Sequence, residues 1–202
     1  MAQKDAFDEL RKAKEEEYFH KKEIELLEKL RQRGAVEAER RRLGNALPTA
    51  DSQILEDLQS LGYSAETVKL LFVVPLIAVA WADGSITPRE KSLILELAKI
   101  DNKQGGSAAH KQLLQWLDQK PSEEFFERSL RIIKSLLSAQ SPDERSEAKR
   151  DLHSSSLRIA EASGGILGRG SISNAERAAI ERVAAEIETE HSEASRQMLE
   201  RL

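Results

Sequence analysis

The 202-residue sequence contains no cysteine. A disulfide framework, a thiolate metal site and a cysteine nucleophile are therefore excluded, and a reducing compartment is the natural fit. Aromatic residues make up only 4% of the chain. Sheets draw on aromatic and β-branched side chains, whereas this composition, dominated by alanine, leucine, glutamate, lysine and arginine, is that of helices. There is no excess of positive charge either. A net charge of -4 leaves no overall field to concentrate nucleic acid or anionic lipid around the molecule, so neither is expected as a partner. Long apolar runs are missing as well. The most hydrophobic stretch, Leu70 to Ala82 (LLFVVPLIAVAWA), falls well short of the ~20 residues that span a bilayer. It reads as a buried core helix, and no transmembrane segment is expected. The opening MAQKDAFDELRKAK is charged from its fourth residue and has no apolar core. It does not read as a secretion signal, and the cytoplasm is the expected location.

What is present is enough apolar material, 40% of the chain, for one full core and an appendage outside it. Residues 4–43 form the appendage, with 12 basic and 11 acidic side chains. Opposite charges often stand four apart, as in Asp8 with Lys12, Glu17 with Lys21 and Glu25 with Lys29, an order that supports an exposed helix. Phe19, Leu26 and Leu30 lie within ~40° on a helical wheel, while Phe7, Leu10, Tyr18 and Ile24 fall elsewhere, so the apolar stripe is too narrow for a core. Gly34 is expected to weaken or end this helix. The stretch LGNALPTAD, Leu43 to Asp51, reads as a linker.

From Asp51 onward the pattern is compact and helical. Asp51 caps a short helix that Gly62 closes in a left-handed conformation. Ser64 offers a cap for the apolar helix to Ala82, within which Pro75 must kink the helix or start another. Further helices are expected from Pro88 to about Ile100, around Leu113 to Leu117, along the amphipathic stretch Phe125 to Leu137, from Ser141 to near Ser163, and from Asn174. The fold class is thus all-α: a compact bundle of about seven helices, residues 51–202, preceded by a linker at 44–50 and a long charged helical arm at 1–43.

Two segments of the bundle are repeats. DGSITPREKSLILELA (Asp83 to Ala98) and RGSISNAERAAIERVA (Arg169 to Ala184) align without a gap at an offset of 86 residues. Each carries a capping box, in which Thr87 or Ser173 accepts from the third helical amide and Glu90 or Glu176 reaches back to the cap's own amide. Pro88 suits the first helical position, and Ile86 and Ile172 should tuck beneath the incoming helices. Asp83 to Glu90 also imitates the second half of a calcium loop. Val79 and Trp81 stand where earlier oxygen ligands would be needed, leaving two carboxylates against the six to eight oxygens of calcium, so the helix cap is favoured over the cation. GGILGRGS (Gly164 to Ser171) lacks both the lysine and the preceding strand of a phosphate loop. His20, His110, His153 and His191 show no ligand spacing and are expected at the solvated surface. No Gly-x-Ser-x-Gly elbow frames a serine, and Ser154 to Ser156 sit inside a helical pattern.

AVAWADGSITPREKSLILELA and its echo GRGSISNAERAAIERVA resemble the TerB-like (tellurite resistance protein B) domain over about residues 51–202. The resemblance implies a pseudo-symmetric helical bundle associated with tellurite and other chemical-stress resistance, acting through metal binding and partner assembly rather than catalysis. It maps Asp83, Glu90 and Glu176 onto acidic positions that would meet a divalent cation; Arg169 departs from that pattern. The arm resembles the inhibitory helix of the ATP synthase inhibitor protein family over EEEYFHKKEIELLEKLRQR (Glu15 to Arg33). That likeness implies partner binding through Tyr18, Phe19, Glu25, Leu27 and Leu30, and Leu26 is a further candidate contact on the same helix. The leucines can equally pair two arms in a homodimer. Together these readings imply a non-enzymatic, stress-associated interaction protein, with regulation of ATP synthase through the arm as the alternative.

Overall fold

The computed structural model describes residues 2–47, 50–99, 106–162 and 172–187, with side chains in the first helix described at Lys14 and from Glu17 onward. Among the described residues the structure is all helical, with no strand. Tertiary contacts divide the chain into two units, Met1–Arg42 and Leu43–Leu202.

Helix α1 spans Ala2–Ala46, so Gly34 does not end it. A glycine costs a helix interior only about 1 kcal/mol relative to alanine. Charge pairs flank the glycine on both sides, Lys29 to Glu25 at 2.7 Å and Arg41 to Glu37 at 3.5 Å. These pairs are exposed and contribute little individually, but they leave the helix no reason to stop there. The expected linker is shorter than its composition suggested. The Leu47 amide still donates to the Leu43 carbonyl at 2.9 Å, and the Leu43 side chain is fully buried in the core of the second unit.

The second unit contains α2 (Ser52–Ser60), a 3-10 helix (Val68–Val73), α3 (Val74–Ala80), α4 (Pro88–Leu97), α5 (Ala108–Asp118), α6 (Glu123–Ser138), α7 (Pro142–Ala162) and α8 (Asn174–Ile187). The Asp51 carboxylate accepts from the Ile54 amide and opens α2. Gly62, at φ 83°, lies just beyond its end, in the left-handed region that suits glycine. The expected Ser64 cap does not form. The Ser64 amide donates to Thr67 Oγ1 at 2.9 Å, and the chain winds through a 3-10 segment before Pro75 enters the first turn of α3. There the missing proline amide costs no hydrogen bond, so Pro75 starts a helix rather than kinking one.

Helix α3 is apolar all round because it is central: it contacts the 3-10 helix, α4, α6, α7 and α8. Val74, Ile77, Val79 and Ala80 have no exposed surface. Helix α6 turns Phe126, Leu130, Ile133 and Leu137 inward, the amphipathic spacing its sequence carries. Its C-terminal carbonyls are met by Arg145, whose Nε donates to Leu137 O and Nη2 to Ser138 O, each at 3.0 Å. Tyr63, Trp116, Phe125 and Phe126 form an aromatic cluster, in which Tyr63 stacks on Phe125 and the other ring pairs meet tilted or edge to face. Trp81 locks across it, its indole N–H donating to Trp116 O at 2.9 Å. No helix among the described residues is long and apolar enough to cross a membrane. Helix α4 stops short of Ile100; Lys99, at φ 48°, turns the chain away.

Candidate functional site

Both repeat segments form the capping box. The Glu90 amide donates to Thr87 Oγ1 at 3.2 Å and the Thr87 amide to Glu90 Oε2 at 2.7 Å. In the second copy the Glu176 amide donates to Ser173 Oγ at 3.1 Å and the Ser173 amide to Glu176 Oε2 at 2.7 Å. Each cap stabilises its helix by about 1 kcal/mol. Ile86 and Ile172 pack against the core, as the sequence predicts.

The caps account for most of the acidic signal. Asp83 is exposed, and its carboxylate accepts from the Ser85 amide at 3.1 Å, a local turn around Gly84 at φ 94°. Glu90 and Glu176 are instead buried, each 1% exposed. Among the described residues no group of three histidine, aspartate or glutamate side chains could hold a metal. Of the three acidic residues that the resemblance maps, Asp83 belongs to a surface turn, while Glu90 and Glu176 are turned inward as caps. Arg169 and the whole of GGILGRGS lie outside the described residues.

The two capping glutamates, both buried, also act on one another electrostatically. Burial is the main reason the Glu90 carboxyl is pushed above its usual range; the hydrogen bonds from Thr87 partly oppose this, and the Glu176 charge and then the Asp83 charge push it further. Glu176 Oε1 is buried without a hydrogen-bond partner. No periodicity within either copy could announce an interaction between residues 86 positions apart.

The arm residues are displayed rather than buried. Tyr18 is 59% exposed, Phe19 67%, and Leu26, Leu27 and Leu30 between 48% and 59%. The Tyr18 and Phe19 rings meet edge to face, 5.8 Å apart. Glu25 differs from these five. Its carboxylate accepts from Lys29, and that hydrogen bond, then the Lys29 and Lys22 charges, holds its pKa below the ordinary value. In the second unit, Phe72 is the large hydrophobic side chain left exposed among the described residues.

The histidines do not cluster. His20 and His153 are exposed as expected, whereas His110 is half-buried in α5 with its Nδ1 unpartnered; His191 lies outside the described residues. Ser154 to Ser156 lie within α7, but Ser156 is 1% exposed and its Oγ finds no partner, which nothing in the SSS run signals. No family model, no curated protein and no solved structure matches the chain.

Proposed function

We propose that the chain is a non-catalytic, stress-associated interaction protein, a TerB-like helical domain that recruits a protein partner through its arm. The observation that carries this reading is the display of Tyr18, Phe19, Leu26, Leu27 and Leu30 on α1, while the second unit encloses a core of its own. Fully burying one such side chain is worth about 1.5–3 kcal/mol. A helix presenting apolar anchors over about three and a half turns is suited to a hydrophobic groove on another protein. The TerB-like part of the reading is supported by the two capping boxes, and the cytoplasm is its expected setting. The arm is tested by replacing Phe19, Leu26 and Leu30 together with aspartate. The full-length variant should lose a partner that the wild type retains in a pull-down, with the melting temperature of the bundle unchanged. Equal recovery by both proteins would refute the arm as the contact.

A second reading rests on the exposed Tyr18–Phe19 pair directly after Glu15 to Glu17. In it the arm inhibits a rotary ATPase by inserting between subunits. A peptide of residues 1–43 should then slow ATP hydrolysis by ATP synthase at micromolar concentration. Unchanged hydrolysis at saturating peptide removes this reading and leaves the first intact.

A further inference from the structure

The charge on the arm is divided rather than mixed. Residues 15–28 carry six acidic and two basic side chains, and residues 29–42 carry six basic and two acidic. Both stretches lie in the single helix Ala2–Ala46, so they present net charges of -4 and +4 in succession along one rod. Pairs within the helix, such as Glu25 with Lys29 and Glu37 with Arg41, leave that imbalance unchanged. The boundary between the two stretches falls among Leu26, Leu27 and Leu30, each about half exposed.

This division separates the ways in which two such arms can meet. Side by side and parallel, they would set acid against acid and base against base; antiparallel, each stretch lies against its opposite. The apolar residues fix the register. Phe19, Glu23, Leu26, Leu30 and Arg33 are spaced alternately four and three residues apart, which is the seam of a coiled coil, and all five are exposed. When two of these seams run antiparallel about the leucines, Leu26 of one copy faces Leu30 of the other, and Glu23 faces Arg33 once on either side. Two leucine layers make a short apolar centre. The leucines therefore supply most of the attraction, while the charges set orientation and register more than they add affinity.

From this arrangement we infer that the arm pairs antiparallel with the arm of a second copy of the chain, Leu26 against Leu30 and Glu23 against Arg33. The inference rests on the reading of the arm as a contact surface and names its partner. Parallel pairing is opposed by the charge of both stretches at once, and a foreign groove would have no reason to match a rod that is complementary to itself.

Sedimentation equilibrium of the full-length protein, from micromolar to near-millimolar concentration, tests the inference. The wild type should pass from monomer to dimer, and the dimer should weaken several-fold as salt is raised from about 0.05 M to about 0.5 M. Glu23→Arg and Arg33→Glu each set like charges opposite one another twice, and each should weaken the dimer at least tenfold. Both substitutions in one chain restore opposite charges and should bring the affinity back to within a few-fold of wild type. A parallel pair, in which residue 23 faces residue 23, would not respond to the single reversals. Orientation is read directly, because the chain has no cysteine and Glu17→Cys takes a single spin label. In the antiparallel register two such labels stand about 33 Å apart along the axis, against roughly the 10 Å between packed helix axes for a parallel pair. A monomer at every concentration, single reversals without effect, a double variant that stays dissociated, or labels at the parallel separation would each overturn the proposal. If the chain is monomeric and yet loses a retained protein when Phe19, Leu26 and Leu30 become aspartate, self-pairing alone falls and recruitment through the arm stands.

Discussion

Ile94→Ala is expected to lower the stability of the bundle by about 2–5 kcal/mol, the usual cost of removing a fully buried isoleucine and leaving a cavity. Ile94 is on α4 and has no exposed surface. Helix α4 packs on α7 and α3, so the lost methyl groups leave a hole that three helices would have to move to close. Domains of this size have only about 5–15 kcal/mol to lose, and the urea midpoint should fall by about 1 M or more. The chain's two tryptophans, Trp81 and Trp116, both belong to the second unit, so selectively excited tryptophan fluorescence reports on the bundle alone. Leu26→Ala is the matched control. Leu26 is 59% exposed on α1, and its truncation should shift the same transition by no more than about 0.5 kcal/mol. Equal shifts for the two variants would contradict the packing described for α4.

Glu90→Gln is expected to stabilise the protein at neutral and alkaline pH and to make little difference in acid. A buried ionised carboxylate carries a penalty of several kcal/mol even after relaxation. The hydrogen bond that the carboxylate accepts from the Thr87 amide recovers only part of it. Because the folded-state pKa of Glu90 is raised above 4.5, chiefly by burial, the folded state favours the protonated form. Its contribution to stability is present at pH below that ordinary value and is lost as pH rises through the raised one. Glutamine keeps the capping geometry, since glutamine serves at the third helical position as glutamate does, but has no charge to acquire. The stability difference between variant and wild type should therefore open as pH climbs above 4.5. Urea unfolding at about pH 4 and about pH 8 measures it. Glu176→Gln removes the charge that adds to the Glu90 shift, so in that background the pH dependence due to Glu90 should move toward lower pH. A constant difference between Glu90→Gln and wild type across this range would show that Glu90 is not held in a buried, charge-opposed setting.

The helical class, most helix starts and the polar character of the arm are legible in the residue order, because each depends on physics that acts over three or four residues. Asp51 and Thr87 cap helices through amides three positions on, and Gly62 takes the left-handed turn that its place predicts. The arm's charge pairs and narrow apolar stripe are likewise matters of local spacing. The same short reach explains the errors. Gly34 looks like a stop signal by itself, yet its cost is small beside the helix on either side of it. Ser64 has the chemistry of a cap, but the turn through Thr67 and the packing of the 3-10 helix claim the backbone first.

That Glu90 and Glu176 lie buried within each other's field, that the Trp81 indole reaches the Trp116 carbonyl, and that the Ser156 hydroxyl is left unpaired are consequences of how the helices pack. These relations join residues far apart in sequence or depend on what a neighbouring helix supplies. Their energies are set by burial and by the fit of whole helices against one another, and the order of residues within a single turn does not contain that information.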